Sequence, residues 1–543
     1  MGKRKNNNFL IQGSILAVAG LISRIIGLLY RIPMTNIIGD EGMGVYSTAY
    51  SIYSILLLIS SYSLPLAVSK MVSAAIGVKQ YRNAKRIFIC AMLFGVTVST
   101  VAALVMYFGA EFFSYEIMHM PEAVYAMQAL SPAVMIMGIL GVLRGYFQGR
   151  STMIPTAISQ LLEQVLHVAV SLLAGYRLYM LGAAKDSIGN YYATSYGAAG
   201  ATLGTSAGAL AAMLFCLLLY LMFRPIEARQ CRRDRTREPE PYGRLLHTVI
   251  CTIVPILISA TVYQLIVTVD QAIYAAYIGE DYRSVWGVYT NKYTLLYNVP
   301  IAIASSLSAS TIPAISGAMA GRNMGEVCSR ITAAIRFSLL ISIPSAVGLA
   351  VLAEPCMNLL FSSGSNALAA RMMMCGSSAV VFFSLSTITN GILQGTGHFW
   401  IPIRNAVISL CLHVPLLALF LWVFELDIMG VVVGNLLFPL FICLLNDRAL
   451  HRLLPYRREL VKTFVLPLLA SGVMGALAYA AYTGLRLLSL GNAISLAGSI
   501  TLAIALYFVM LLVSGIVDEV DLVSLPKGRS LAVLARRLHL LRR

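Results

Sequence analysis

An arginine deep in an apolar run is the first residue here whose type and place call for a chemical reason. In LISRIIGLLYRIP, Arg24 and Arg31 stand seven residues apart, two helical turns along one face, and Gly20 and Gly27 share that face. Arg24 lies about 15 residues into a run that starts near residue 9, roughly 22 Å along a helix at 1.5 Å per residue. Charge at that depth is costly and marks a functional position by default. Guanidinium forks match phosphate oxygens in pairs, and the glycines leave room beside them. The pair suits a bulky phosphate-bearing ligand. Arg31 has a second reading, in which it reaches outer lipid headgroups.

Other polar groups fall inside apolar stretches. Gln160, Glu163, Gln164 and His167 form one helical stripe, which either faces a cavity or bonds to neighbouring helices; Glu163 is also placed to pair with Arg144. A shift of 240 carries Arg24 to Gln264 and Arg31 to Gln271, so polarity is kept and charge is lost. Asp270, beside Gln271, has three open roles: partner to a first-helix arginine, a purely structural ion pair, or a site for a coupling cation or proton. Asn291 and Lys292 are shallower, about 10 Å from the start of their helix, and Lys292 is able to snorkel. Tyrosines 46, 50 and 53, and 289, 293 and 297, read first as an interfacial aromatic belt and second as a sugar-stacking rim.

The elements that position these residues are membrane helices. Of 543 residues, 58% are hydrophobic and 12% charged, against about 25% charged in soluble domains. Apolar stretches of roughly 20 residues, long enough to span a bilayer, recur throughout. The fold class expected is an all-α polytopic membrane protein with about 14 transmembrane helices. The apolar run at the start continues past the cleavage-like Ala17-Val18-Ala19, so it reads as an uncleaved first helix. Basic residues gather in alternate connections (Lys79, Arg82, Lys85 and Arg86; Arg224 to Arg244; Arg448 to Lys462), and the intervening ones are acidic or sparse in charge. The positive-inside rule then puts the basic set and both termini in the cytoplasm. The net charge of +17 reflects topology and contact with anionic lipid, with no nucleic-acid partner implied. Single cysteines inside apolar runs predict neither a metal site nor disulfides.

Two phrases occur twice. GYFQGRSTMIP at 145–155 is echoed by GILQGTGHFWIP at 391–402, and IIGDEGMGVY at 37–46 by YIGEDYRSVWGVY at 277–289. Echoes at nearly one offset predict two parallel six-helix repeats with a site at their interface. The expected organisation is a lobe over 1–225, a basic cytoplasmic linker over 226–245, a second lobe over 246–455, two extra helices over 456–516 and a basic tail over 517–543. The Gln-Gly phrase reads as a turn: Gly for tightness, Pro for the next helix start.

LISRIIGLLYRIP, LPLAVSKMVSAA and RGYFQGRSTMIPTAISQLLEQVLHV resemble the stage V sporulation protein B family. That family belongs to the polysaccharide-exporter branch of the multidrug/oligosaccharidyl-lipid/polysaccharide flippase superfamily, which also holds the MurJ-type lipid II flippases. The resemblance covers nearly the whole chain and implies MATE-like lobes working by alternating access. It implies an undecaprenyl-pyrophosphate-linked saccharide as cargo, with Arg24, Arg31 and, as a substitute for a basic residue missing from helix 2, Lys292 against the pyrophosphate. Asp270, Gln264, Gln271, Asn291 and Glu163 are the remaining polar or ion-coupling candidates. No cofactor is expected beyond coupling to membrane potential, Na+ or H+, and the chain is expected to act as a monomer in the bacterial cytoplasmic membrane. A drug/cation antiporter would favour carboxylates over arginines. A glycan polymerase would be an enzyme needing catalytic groups on a long outer loop, and the outer connections are short.

Overall fold

A computed structural model describes residues 18–515 except 21, 63, 187–190, 235–239, 280, 321–323, 363, 399 and 455–460, without the side chains of 62, 249, 251–263, 306–314, 316–318 and 320. Among the described residues all regular structure is helical. The first half comprises α1 (residues 18–29), α2 (Arg31–Leu57), α3 (Leu64–Gly77), α4 (Tyr81–Phe108), α5 (Ala123–Gly149), α6 (Ile154–Ala183) and α7 (Tyr191–Arg232). The second holds α8 (Tyr242–Ile278), α9 (Arg283–Val288), α10 (Thr294–Ala320), α11 (Met324–Val351), α12 (Asn366–Gly376), α13 (Ala379–Gly395), α14 (Trp400–Trp422) and α15 (Ile428–Leu453), followed by α16 (Leu466–Leu487) and α17 (Asn492–Val513). Ten of the described helical runs are long and apolar enough to cross a membrane, or eleven when α12 and α13, bent by 52°, count as one span. The run Val18–Gly77 holds two of the expected spans, and α8 and α10 cover two more. The described residues of all fourteen expected segments fall on helix almost throughout, so the architecture is compatible with that count.

The repeated phrases mark equivalent bends. Gly39 breaks the first helical run at φ 73°, and Gly279 ends α8 at φ 77°. Only glycine enters this region without a Cβ penalty, which explains the Ile-Gly echo. The first helix therefore continues through Tyr30 to Ile38, well beyond its expected end, and Arg31 lies inside it. In the Gln-Gly phrase, Ser151 N bonds Gln148 O and Thr152 N bonds Phe147 O; in the second copy, Gly397 N bonds Gln394 O and His398 N bonds Leu393 O. Ser151 and Gly397 both have positive φ, 60° and 88°. The phrase is one turn, built twice.

Packing divides the chain into two compact units, residues 1–291 and 292–543. The helices α8 and α9 belong by sequence to the second repeat yet pack in the first unit, against α2, α3 and α4. The core of the first unit joins α3, α4 and α5 through Leu64, Val68, Val72, Phe88, Leu143 and Tyr146. In lipid, helices associate through close packing of small residues. Accordingly a Cβ on Gly145 would lie 2.7 Å from Pro65 O. In the second unit α16 and α17 pack on α11 through Met474, Ala478 and Tyr507, whose hydroxyl donates to Leu340 O at 3.1 Å.

The basic connection after α7 is partly docked on the first unit. The helix runs on to Arg232, and buried Asp234 accepts from Arg82 N at 2.7 Å, capping α4. Arg86 donates to Glu240 O at 2.8 Å and stacks on Tyr242 at 4.9 Å. Arg235, Arg237, Arg457, Arg458 and the tail lie outside the described residues.

Candidate functional site

The polar stripe of α6 faces the first helix. A Cβ on Gly20 would come 3.9 Å from Gln160 Oε1, and one on Gly27 would come 3.0 Å from Gln164 Nε2. The glycines that flank Arg24 thus seat two glutamines. Arg24 itself is exposed. At 100° per residue it lies roughly 100–160° around the axis from Ile22, Ile25 and Leu29, the exposed apolar residues of the same helix. The guanidinium stands off the lipid-facing arc. Among the described residues it has no ion-pair partner.

Arg31 is half-buried. Its guanidinium carbon lies 5.9 Å from the ring centroids of both Tyr46 and Tyr50, a cation–π arrangement, and its buried Nε has no partner. Position inside the helix, not at its end, puts Arg31 over these tyrosines. Tyr46 and Tyr50 stack at 5.6 Å, Tyr50 and Tyr53 at 5.2 Å. The hydroxyls of Tyr30 and Tyr46 are hydrogen-bonded, and the Tyr30 ring meets His167 edge-on at 4.7 Å. Tyr46 and Tyr53 are 1% and 2% exposed, as Tyr289 and Tyr293 are 4% and 0%. Belt residues must touch the interface, so the aromatic-belt reading fails for these four.

Glu163 pairs with Arg144 at 2.7 Å, and Arg144 also donates to Ser159 Oγ at 2.8 Å. The arginine is 9% exposed and the carboxylate 25%. By the 246-residue shift of the Gln-Gly phrase Arg144 matches Asn390 and Glu163 matches Ser409, both neutral; Asn390 accepts from Asn446 at 2.8 Å, which in turn accepts from Asn405 at 2.8 Å. Charge is concentrated in the first half at this site as well.

Gln271 and Asn291 are fully buried, Asp270 is buried and Gln264 half-buried. The Gln271 amide donates to Thr48 Oγ1 and, at 3.3 Å, to Tyr282 OH, and accepts from Ser51 at 3.4 Å. Asn291 donates to Met43 O at 3.0 Å. Both tie repeat two to α2. Around them the repeats meet symmetrically: Gly44 abuts Arg283 O, Gly287 abuts Asp40 O, and Thr290 donates to Ser47 at 2.9 Å. With Gly44 matched to Gly287, a shift of 243, Asp40 matches Arg283 and Ser47 matches Thr290. Residue i meets j′ and j meets i′, the signature of a twofold contact. Beside it, Arg283 bridges Glu122 and Asp281, each at 2.7 Å; sequence reading missed Glu122, since nothing local marks a partner so distant along the chain. Asp281 lies in the connection before α9, and the Arg283 hydrogen bond holds its carboxyl below the usual range. Lys292, in the second unit, is fully buried in a π-turn; it donates to Asn366 Oδ1 at 3.1 Å and lies 5.3 Å from the Phe361 ring. The structure brings Arg31, Glu163 and the α6 stripe into one region, whereas Gln271 and Asn291 form a separate packing contact.

The chain is 26% identical over 523 residues to stage V sporulation protein B of Bacillus subtilis, covering 95% of this chain and 98% of the relative. It is 25% identical over 495 residues to the lipid II flippase MurJ of the same organism, covering 86% and 87%. Among solved structures, MurJ in an inward closed conformation matches with a TM-score of 0.66 at 15% identity, over 91% of this chain and 97% of that one. An inward-facing multidrug-resistance MATE transporter of the MOP superfamily matches at 0.64 and 15%, over 79% and 95%. The family model described as "Polysaccharide biosynthesis protein" matches residues 10–319, more than half of the sequence, and the chain belongs to that family.

Proposed function

We propose that this multi-pass membrane protein is a flippase that carries an undecaprenyl-pyrophosphate-linked cell-wall precursor, lipid II in the simplest case, from the inner to the outer leaflet by alternating access. The observation that carries the reading is Arg24: an exposed, unneutralised guanidinium in the first membrane helix, off the lipid-facing arc. A pyrophosphate needs fixed positive charge in a low-dielectric passage, and a planar fork supplies it bidentately. Arg31, one half-buried step along the same helix, would take the charge next. The lipid II flippase MurJ relative and the polysaccharide-biosynthesis family support a lipid-linked saccharide as cargo, and another lipid-linked precursor fits equally with the pyrophosphate argument. The basic connections and both termini would face the cytoplasm.

A cation-coupled drug antiporter has the MATE likeness and the buried Asp270 in its favour, but Glu163, its other candidate carboxylate, is neutralised by Arg144. Conditional depletion tests the proposal: an undecaprenyl-linked, pyrophosphate-bearing intermediate should accumulate in the inner leaflet. Unchanged pools of all such intermediates, with altered drug efflux, would refute it.

A further inference from the structure

Among the described residues, four buried polar atoms without partners lie on the helices that meet here, α1, α2 and α6: Ser23 Oγ, Gln160 Oε1, Arg31 Nε and His167 Nε2. Buried polar groups are ordinarily satisfied, and an orphaned one calls for a reason. His167 is the sharpest case. His167 is 8% exposed, its Nδ1 lies 3.5 Å from Thr205 Oγ1, and its ring meets that of Tyr30 edge-on at 4.7 Å. With Nδ1–H donated to the threonine, Nε2 presents a free lone pair to a proton.

The groups that face His167 set what a proton there would do. From the first helix come Tyr30, in edge contact, and Arg31, within electrostatic reach. From α2 come Tyr46, Tyr50 and Tyr53, which hold Arg31 or stack with its holders. On its own helix Glu163 lies one turn away, neutralised by Arg144 of α5. The facing stretch of α7, residues 201–212, supplies Thr205 and no titratable side chain. Arg31 is thus the one cation in this set without a carboxylate, and its guanidinium lies against the Tyr46 and Tyr50 rings. A second positive charge on His167 opposes it directly.

We propose that His167 is a proton-binding site coupled to Arg31: binding of a pyrophosphate anion neutralises or draws away the guanidinium, and His167 then takes one proton from water onto Nε2. Conversely, a proton on His167 drives Arg31 off the Tyr46–Tyr50 rings toward the anion, as linkage requires. The inference rests on the pyrophosphate reading of Arg24 and Arg31.

The test is histidine C2-hydrogen exchange, read by mass spectrometry between pH 4 and 9, on the full chain in nanodiscs with undecaprenyl pyrophosphate as probe. The expected result is a rise of about one pH unit in the His167 midpoint on adding the probe, a roughly tenfold gain in proton affinity. Without probe, Arg31→Gln should raise the midpoint similarly, and it should abolish the further rise. Saturable, Arg24-dependent binding with an unmoved His167 midpoint would overturn the coupling while leaving the proposed function standing. Absence of binding would refute the proposed function instead. In that case an unchanged midpoint in Arg31→Gln would overturn the His167–Arg31 coupling as well. His167→Asn separates a structural role: probe binding should persist and lose the part of its pH dependence centred on the His167 midpoint, leaving the probe's own phosphate ionisation near pH 6; a pH profile identical to the parent's would count against the proposal.

Discussion

A single methyl group added at Gly287 would land 1.9 Å from the carbonyl oxygen of Asp40, and one at Gly44 would land 2.0 Å from that of Arg283. An ordinary C···O contact is about 3.3 Å, so Gly287→Ala must push α9 from α2 by roughly 1.4 Å. That displacement stretches the 2.9 Å Thr290–Ser47 hydrogen bond beyond useful range. Overpacking costs about 1–3 kcal/mol and the lost bond about 1 kcal/mol, so the crossing should weaken by about 2–4 kcal/mol. A Ser47→Cys, Thr290→Cys background lacks that bond and reports the overpacking part alone, a drop of about fivefold or more in occupancy, since about 1.4 kcal/mol is tenfold. Disulfide trapping reads it out: in a background lacking native cysteines, a Ser47→Cys, Thr290→Cys pair should cross-link rapidly, and far more slowly with Gly287→Ala. Gly44→Ala should match it, because the two glycines are related by the repeat. Gly77→Ala, which meets nothing within 4 Å, is the control. Cross-linking within twofold of the parent for both crossing variants would refute the backbone-contact argument.

Three further outcomes are expected. Glu163→Gln leaves Arg144 largely buried beside an uncharged amide, so thermal stability should fall by about 1–3 kcal/mol, less than for a fully buried pair because the carboxylate is partly exposed. A double-mutant cycle with Arg144→Met should show a coupling of about 0.5 kcal/mol or more; additive effects would show that the pair contributes nothing. Tyr507→Phe removes the bond to Leu340 O and should cost about 1 kcal/mol, read as earlier proteolysis between α16 and α17; unchanged cleavage would mean the α11 contact does not depend on it. Arg283 depresses the Asp281 carboxyl, so its stabilising effect is present above the unfolded value near 3.9 and is lost as pH falls through the lower folded value. With the side chain 61% exposed the effect is small: Asp281→Asn should leave stability nearly flat from pH 5 to 8 and remove part of the acid-limb slope below about pH 4, and an unaltered acid limb would rule the contact out as a contributor.

The helices and the repeat were legible because both are local signals. Apolar runs of membrane-spanning length need no tertiary information, and the Ile-Gly and Gln-Gly phrases record backbone turns, with positive φ at Gly39, Gly279, Ser151 and Gly397. Arg24 was legible for a similar reason, since a charge in an apolar run announces itself. The partners of polar groups were not. Tyr46 and Tyr53 sit near the expected end of a span, where belt residues also sit, and their burial follows from a helix that continues past Tyr30 to Gly39. The docking of α8 and α9 on the first unit depends on contacts between residues far apart in the chain, such as Gln271 with Thr48. Periodicity marks a polar face; it does not say which helix will cover it.

The central claim is that Arg24 meets the anionic head of a lipid-linked cargo. The direct measurement is translocation of an undecaprenyl-pyrophosphate-linked saccharide across reconstituted vesicles by the parent, Arg24→Ala and Arg24→Lys proteins, each checked for equal insertion and thermal stability. The account requires that Arg24→Ala lose transport by at least tenfold and that Arg24→Lys recover only part of it, since a point charge replaces a fork. Normal transport by a correctly inserted Arg24→Ala protein would contradict it.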